Sequence, residues 1–568
     1  MSEKEHSIDN QSVHLLQQAA QYFNEHPRQQ AYLVGGSLRN ILLGEECVDW
    51  DIVTTGDAHK SARQLADRLG GSYVRMHEKA SRVVVPVGNP ASFPNTKKKE
   101  IYFDVSPLNG KTIEDDLRQR DFTINALATP LSEVVSYLQS NEARQPQWSP
   151  DRSIVALPTK ALHLIDPLNG LTDLASRRLK AVNENVFHHD PLRMLRAIRL
   201  MMRYQLQIDP WTESLLVRDA ALLPQVAAER VHDELYAILG PDGATIRLRF
   251  LDEHGLFTVI FPEFAPARGM HQPVPHYWDV LEHSMESVGA LERVANLVQD
   301  GSVETNTEQE GDLTEIRVLL REAQEQGIFS FAALTAPRMK MAALLHDIGK
   351  TVTFSSNKKG EIHFYNHPHA GVPLVERIMK RLCASTQDRR LAQLTAAHHM
   401  RPGQLGQDGP VTPRAIRRYF VDLGPTGIYI ALFSLADHLA TFGPQPINKS
   451  WQRHLGVVRL LLTRYIRERE TILPPRLVSP EELMRRLKLE PGPIVGQLLD
   501  LVAEAQAEGT IHSKEEAIWF AEEHLPAPAR NDRPSLANQG DYVPPGIINS
   551  KRCVTPSQTH IYREKNGK

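Results

Sequence analysis

The chain runs to 568 residues, too long for one hydrophobic core and enough for roughly three to five domains. Its hydrophobic (41%) and charged (23%) contents are ordinary for a globular protein, and a formal net charge of -3 excludes a global basic field, so a nucleic-acid partner must be held by local patches. Cys47, Cys383 and Cys553 are too scattered for a disulfide framework or zinc ribbon, no apolar run is long enough to span a bilayer, and the polar N-terminus MSEKEHSIDNQSV is unlike a signal or transit peptide; the expectation is a reduced, cytoplasmic protein with no membrane partner.

After a leader helix within residues 1–28, YLVGGSLRNILLGEECVDWDIVTTG (32–56) reads as an apolar strand, a Gly35-Gly36 turn, a helix opened by Ser37, and a second strand carrying Asp49 and Asp51. Gly36 lets backbone approach a phosphate, and the helix N-terminus offers unpaired N–H groups. Residues i and i+2 of a strand point the same way, so Asp49 and Asp51 can grip one Mg²⁺ from one face. A phosphate cradle beside a carboxylate pair suits metal-assisted phosphoryl or nucleotidyl transfer; the plain alternative is a tight turn and a strand with two solvated acids. Further strands are expected within 71–87 and 100–105, making a mixed α/β domain. The basic loop 89–100, with Lys97, Lys98 and Lys99, and the irregular stretch 139–158 interrupt it.

IYFDVSPL places Asp104 on a strand, as a third acid near the metal or as a strand-end turn former. LRQRDFTINALA (117–128) puts Arg118 and Arg120 ahead of an expected buried helix with Phe122, Ile124, Ala126 and Leu127; a fixed guanidinium fork suits a triphosphate, or these are solvated arginines of an amphipathic helix. From Asp166 onward helical periodicity dominates to about Glu523. In HHDPLRMLRAIRLMMRY (188–204) Asp190-Pro191 reads as a helix start, with Leu195, Ile198 and Met202 as the packed stripe. Asp190, Arg193, Arg196 and Arg199 recur every third residue and slip back by roughly 60° per step. Asp190 and Arg193 are therefore neighbours able to present a donor/acceptor pattern to a base edge.

These three segments, with DPLNGLTDLASRRL (166–179) between the second and third, are similar in order and spacing to the bacterial-type (class II) CCA-adding tRNA nucleotidyltransferases and poly(A) polymerases, over about residues 30–265. The resemblance implies a polymerase β-like fold, Gly35, Gly36 and Arg39 at the nucleotide phosphates, and Asp49 and Asp51, with Asp104, as catalytic metal-site acids activating an RNA 3′-hydroxyl. It implies Arg120 and Asn125 at the nucleotide, and Asp190 and Arg193 reading the incoming CTP or ATP with Arg196 and Arg199 in support. Glu229 and Arg230 of AAERVHDEL match the neck helix, as an expected structural ion pair. This sequence departs from the pattern at Asn40, Gln119 and His189, and lacks the usual arginine after the Asp104 strand. The loop 89–100 matches the position of the family's loop for switching from C to A addition.

MAALLHDIGK sets His346 beside Asp347 after an apolar run; His283 in WDVLEHSMESV and Asp437 in ALFSLADHLA lie on apolar helices, where each would otherwise bury an unpaired polar group. This arrangement resembles the HD metal-dependent phosphohydrolases over residues 266–445, interrupted by the acidic loop 300–312. His367 in FYNHPHAG and His398 of the His398-His399 pair could complete a second metal position. Imidazole and carboxylate suit Ni²⁺, Mn²⁺, Fe²⁺, Co²⁺ or Zn²⁺ without deciding among them; a degenerate, structural HD fold is the other reading.

The expected architecture is thus an α/β (α+β) polymerase β-like nucleotidyltransferase head at 29–165, a nucleotide-selecting, RNA-binding helical neck at 166–265, the HD domain, a helical C-terminal region at 446–525 that holds the tRNA body or merely caps the fold, and a disordered tail at 526–568. The expected function is template-independent addition of CCA to tRNA 3′ ends from CTP and ATP with Mg²⁺, beside an HD phosphatase or 2′,3′-cyclic phosphodiesterase. The competing readings are a poly(A) polymerase, an A-only or C-only adding enzyme, an HD phosphohydrolase with a non-catalytic RNA-binding head, and a non-catalytic RNA-binding protein; intact Asp49, Asp51 and Arg120 argue against the last two. The sequence leaves the oligomeric state open.

Overall fold

A computed structural model describes residues 10–45, 47–76, 80–87, 99–139, 162–300, 313–407, 409–444 and 449–526. The expectations for the loop 89–100 (up to Lys98), for the stretch 140–158, for 301–312 and for the tail beyond 526 lie outside those residues. The chain divides into two compact units, 1–472 and 473–568.

The head is built on six strands: β1 (Ala31–Val34), β2 (Asp49–Thr54), β3 (Ser72–Arg75), β4 (Ser81–Val87), β5 (Lys99–Pro107) and β6 (Ala128–Pro130). Their spatial order is β3-β4-β5-β2-β1-β6, with β2 and β5 parallel and every other pairing antiparallel. Helix α1 (Asn10–Asn24) precedes the sheet, α2 (Gly35–Leu42) follows β1, and α3 (Ala58–Leu69) follows β2. The alternation of β2 is visible in its burial: Trp50 is buried and its indole N–H donates to Ser12 Oγ at 3.2 Å, while Asp49 and Asp51 lie on the opposite, more open face. Register places Asp51 opposite Asp104 and Asp104 opposite Arg82, so four charged groups share that face.

The segment 121–130 departs from expectation. It forms one 3₁₀ turn (Thr123–Asn125) and then β6, not a helix. Its buried residues run without a gap from Asp121 to Thr129, which suits a segment enclosed on all sides rather than one with a helical stripe. Neighbouring segments take its hydrogen bonds: Thr123 N donates to Lys180 O, and Ala128 N to Ile165 O. The DPLNG stretch explains itself here. The Asp166 carboxylate accepts from the N–H groups of Gly170 and Leu171 at 2.7 and 3.0 Å. A Cβ on Gly170 would lie 2.1 Å from Thr123 O, so only glycine permits this approach.

The neck begins with the helix Arg193–Tyr204 and continues through Pro210–Asp219, Ala228–Leu239 and Ala244–Glu253. Met194, Leu195, Ala197, Ile198 and Met201 bury its first helix; Met202 is only partly covered. Beyond it the long helices Val280–Asp300 and Thr426–Phe442 pack together and enclose Pro337–Leu345 and Thr386–His398. The loop 240–243 of the neck is bolted to them: the fully buried Lys340 donates to Gly240 O (3.0 Å) and Pro241 O (2.9 Å) and pairs with Glu292 at 2.7 Å. Glu292 in turn accepts from the Gly243 and Ala244 N–H groups. The helix Lys449–Arg467 also packs on Thr426–Phe442, so the second unit starts later than the expected boundary at 446. That unit has its own core from Leu483, Leu498, Val502 and Ala517 on three helices, the second starting at Pro493, with Val478 just ahead of the first. Among the described residues no single helix is long and apolar enough to cross a membrane.

Candidate functional site

A cavity of about 290 Å³ opens where the head meets the first neck helix. Gly35, Gly36, Asp51, Arg120, Asn125, Asp190, Arg193 and Arg196 line it, joined by Asp121, Leu192 and Arg230. Gly35 opens α2 at φ +66°, the left-handed region, and a Cβ there would lie 2.7 Å from Arg120 Nη1. Ser37 fixes Asp51 twice: its hydroxyl donates to Asp51 Oδ2 at 2.9 Å and accepts from Asp51 N–H at 2.7 Å. Arg120 is held by Asp116 through Nε (3.1 Å) and Nη2 (2.9 Å). Burial raises the Asp49 carboxyl above its usual range; Arg82 opposes this, and the Asp104 and Asp51 charges add to it. An all-oxygen set of crowded acids is the donor chemistry that a hard cation such as Mg²⁺ fits.

The opposite wall carries the candidate base reader. Arg193 donates to the Gln119 and Arg120 main-chain carbonyls at 3.0 and 3.2 Å, which pins its guanidinium at the cavity. Asp190 is extended, and the helix begins three residues later, at Arg193; its carboxylate accepts from Leu192 N at 3.2 Å and from Arg230 at 2.7 Å. Arg196 pairs with the buried Asp121 at 3.0 Å. Burial works against ionisation of Asp121, but Arg196, the Asn125 amide and the Phe122 N–H hold its carboxyl below the usual range.

The second cluster lies among the long helices. His283, His346, Asp347, His367, His399 and Asp437 form three overlapping groups whose ligand atoms lie within 4.8 Å of one another, with Asp347 facing His283 and His346 through one oxygen and His367 and His399 through the other. The Nδ1 atoms of His346, His367 and His399 lie 2.7, 2.9 and 3.0 Å from main-chain carbonyls, which fixes each as N–H and turns Nε2 toward the carboxylates as a ligand lone pair. Nε2 of His283, His346 and His367 and Oδ1 of Asp347 are buried without a hydrogen-bond partner. Orphaned buried atoms of this kind fit one or two divalent cations. Burial disfavours a charged His346, yet Asp347 and Asp437 more than offset it and raise the ring to about 10, so a cation at its Nε2 would displace a proton; burial lowers His399. Lys350 adds a cation 2.5 Å from Asp347.

Residues 31–180 match the poly A polymerase head domain, 205–268 the probable RNA- and SrmB-binding site of polymerase A, and 328–441 the HD domain. An A-adding tRNA nucleotidyltransferase of Deinococcus radiodurans is 30% identical across 87% of this chain and 95% of its own length. The chain belongs to the tRNA nucleotidyltransferase family. A CC-adding tRNA nucleotidyltransferase of Thermus thermophilus is 29% identical across 86% of this chain and 92% of its own. In fold, the nucleotidyltransferase is similar to a CCA-adding enzyme solved with CTP (TM-score 0.54, 19% identity, 91% of this chain and 97% of that one). It is an enzyme with a polymerase β-like head, a helical neck and an HD domain.

Several expected site residues of this nucleotidyltransferase have other partners than expected. Arg39, expected at the phosphates, is buried behind the glycine turn. It bonds Asn125 Oδ1, Asn40 Oδ1 (2.9 Å) and Tyr204 OH (2.8 Å) and lies 4.3 Å from the Tyr204 ring centre. Asn40, where the family carries an acid, is thus an acceptor inside that network. Arg199 is drawn away by Glu234 at 2.6 Å. Asp104 is gripped at both oxygens by Arg82, at 2.7 and 2.8 Å; Arg82 brings a guanidinium to the acids from β4, although the arginine usual after Asp104 is absent. Arg230 pairs with Asp190 rather than with Glu229, whose carboxylate meets the Cys383 thiol. His398 is not in the metal cluster; His399 is, and His398 is turned toward Arg401 at 3.5 Å, because adjacent helical residues diverge by roughly 100°. Arg82 and Asp121 escaped the sequence reading, which took Ser37 only as the helix opening and Arg230 only as a partner of Glu229; long-range contacts reveal what each does.

Proposed function

We propose that the nucleotidyltransferase builds the CCA end of tRNA from CTP and ATP, without a nucleic-acid template. One observation carries this: a single cavity brings Asp51 and Arg120 of the head to Asp190 and Arg193 of the neck. Asp49 and Asp51 would hold Mg²⁺, whose charge acidifies the tRNA 3′-hydroxyl and neutralises the triphosphate. Arg120, locked by Asp116, holds the triphosphate in line for attack on its α-phosphorus, and pyrophosphate departs. Asp190 accepts from, and Arg193 donates to, the edge of the incoming base. Arg230 and the Leu192 N–H each take one Asp190 oxygen, which fixes the carboxylate while each oxygen keeps a second lone pair for that edge. A second reading is addition of only part of CCA, which the A-adding and CC-adding names of the two relatives favour. Incubating tRNA that ends at its discriminator base, and tRNA that ends in CC, with CTP and ATP, singly and together, separates the readings: a complete CCA end on the first requires both nucleotides, CC on the first alone or A on the second alone marks partial addition, and no incorporation on either tRNA refutes transfer.

The HD cluster supports hydrolysis of a phosphoester at RNA ends, such as a 2′,3′-cyclic phosphate. Water adds at phosphorus, the P–O2′ or P–O3′ bond breaks, and the proton passes to the released hydroxyl. His283, His346, Asp347, His367, His399 and Asp437 would hold transition-metal cations, which supply acidified water when bound. Release of phosphate or of a 2′- or 3′-monophosphate from cyclic nucleotides, lost on chelation, tests this activity. Both activities suit a cytoplasmic setting, in keeping with the free Cys47 and Cys383.

A further inference from the structure

Of the FYNHPHAG segment the metal cluster uses only His367, and the rest of the turn has a definite shape. Asn366 adopts φ +59° and places His367 at the first position of the helix His367–Arg381. His367 Nδ1 closes the turn on Phe364 O at 2.9 Å. Phe364 faces Phe354 (5.9 Å between ring centres) and Lys350 (5.7 Å), whereas Tyr365 points out and is 72% exposed. A single exposed aromatic means little by itself. This one is stacked on His363, 4.9 Å between ring centres and 16° between planes, only two residues from a metal ligand. His363 ends a short hairpin (Ser355–Ser356 with Ile362–His363) whose turn carries exposed Lys358 and Lys359. Its acid, Glu361, is occupied by the Asn357 amide at 2.6 Å.

We propose that Tyr365, backed by His363, is the platform on which the terminal nucleoside of an RNA end stacks while its phosphoester lies at the HD cluster. The proposal rests on the hydrolytic reading of that cluster. An aromatic face accepts any base, which suits RNA ends of differing sequence, and the lysines attract the adjoining phosphates. No hydrogen-bond reader of a particular base is needed.

The test compares two cyclic phosphodiesters on the full-length, metal-supplemented protein: cytidine 2′,3′-cyclic phosphate, and glycerol 1,2-cyclic phosphate, which has no base. Tyr365→Ala raises KM for the nucleotide roughly 5- to 150-fold relative to KM for the glycerol ester, the span expected from stacking one base, with kcat little altered. Tyr365→Phe keeps the wild-type ratio. An unchanged ratio in Tyr365→Ala overturns the platform, as does an equal loss on both substrates, which would mean a disturbed metal cluster. Hydrolysis of neither ester by the wild type refutes the phosphohydrolase reading itself, and the platform with it.

Discussion

Gly35 and Gly70 offer a matched pair of substitutions. Both adopt φ +66°, so an alanine at either position meets the same backbone strain, about 1–2 kcal/mol. They differ in surroundings. A Cβ on Gly70 has nothing within 4 Å, whereas one on Gly35 lies 2.7 Å from Arg120 Nη1, which must retreat by about 0.7 Å to reach ordinary contact at 3.4 Å. Arg120 cannot swing freely, because Asp116 holds Nε and Nη2. Misplacing a positioning group by about 1 Å costs on the order of 100-fold in rate. Gly35→Ala should therefore lower kcat/KM for nucleotide incorporation by roughly 30- to 100-fold. Gly70→Ala should shift thermal unfolding comparably and leave incorporation within about twofold of wild type. Radiolabelled CTP or ATP incorporation into tRNA, with circular-dichroism melting beside it, measures both. Equal activities for the two variants would refute the claim that Gly35 exists to make room for Arg120 at the nucleotide.

The two sites should separate cleanly. Asp49→Ala is expected to abolish incorporation while sparing cyclic-phosphate hydrolysis, and His346→Ala to do the reverse; loss of both activities in either folded variant contradicts two independent centres. His399→Ala should reduce the bound transition metal measured by plasma mass spectrometry, whereas His398→Ala should not, and the opposite result would restore His398 as the ligand. Adding Mn²⁺ or Ni²⁺ to chelator-treated protein should raise its melting temperature, by about 2.7 kcal/mol of stabilisation at 100 times Kd. That rise should vanish in Asp347→Ala, and its persistence there would place the metal elsewhere.

Much of the head was legible because local chemistry dictates it. Asp49 and Asp51 two apart on a strand, flanking a buried Trp50, must share a face, and the Gly35-Gly36 pair marks the helix start, which the left-handed Gly35 makes two residues ahead of Ser37. What failed were statements needing knowledge of burial or of distant partners. Nothing in SLRNIL shows that Arg39 turns inward to Tyr204, 165 positions away. The helix read into FTINALA is a single 3₁₀ turn and a strand, although the expected burial is there. Asp121 precedes FTIN in plain view, yet its meaning depends on Arg196 arriving from another domain. The choice between His398 and His399 turned on the phase of one helix, which sequence alone does not set.

The buried pairing of Lys340 with Glu292 and the neck loop bears on how this protein can be taken apart. A fragment beginning after the neck would strand an ammonium and a carboxylate at a raw surface that once held Gly240, Pro241, Gly243 and Ala244. A head-and-neck fragment would leave the same loop with bare carbonyls and amides. Chimeras between relatives therefore have no clean seam between neck and HD domain. The nucleotide cavity and the HD cluster are thus tied together by a lysine that lines neither of them.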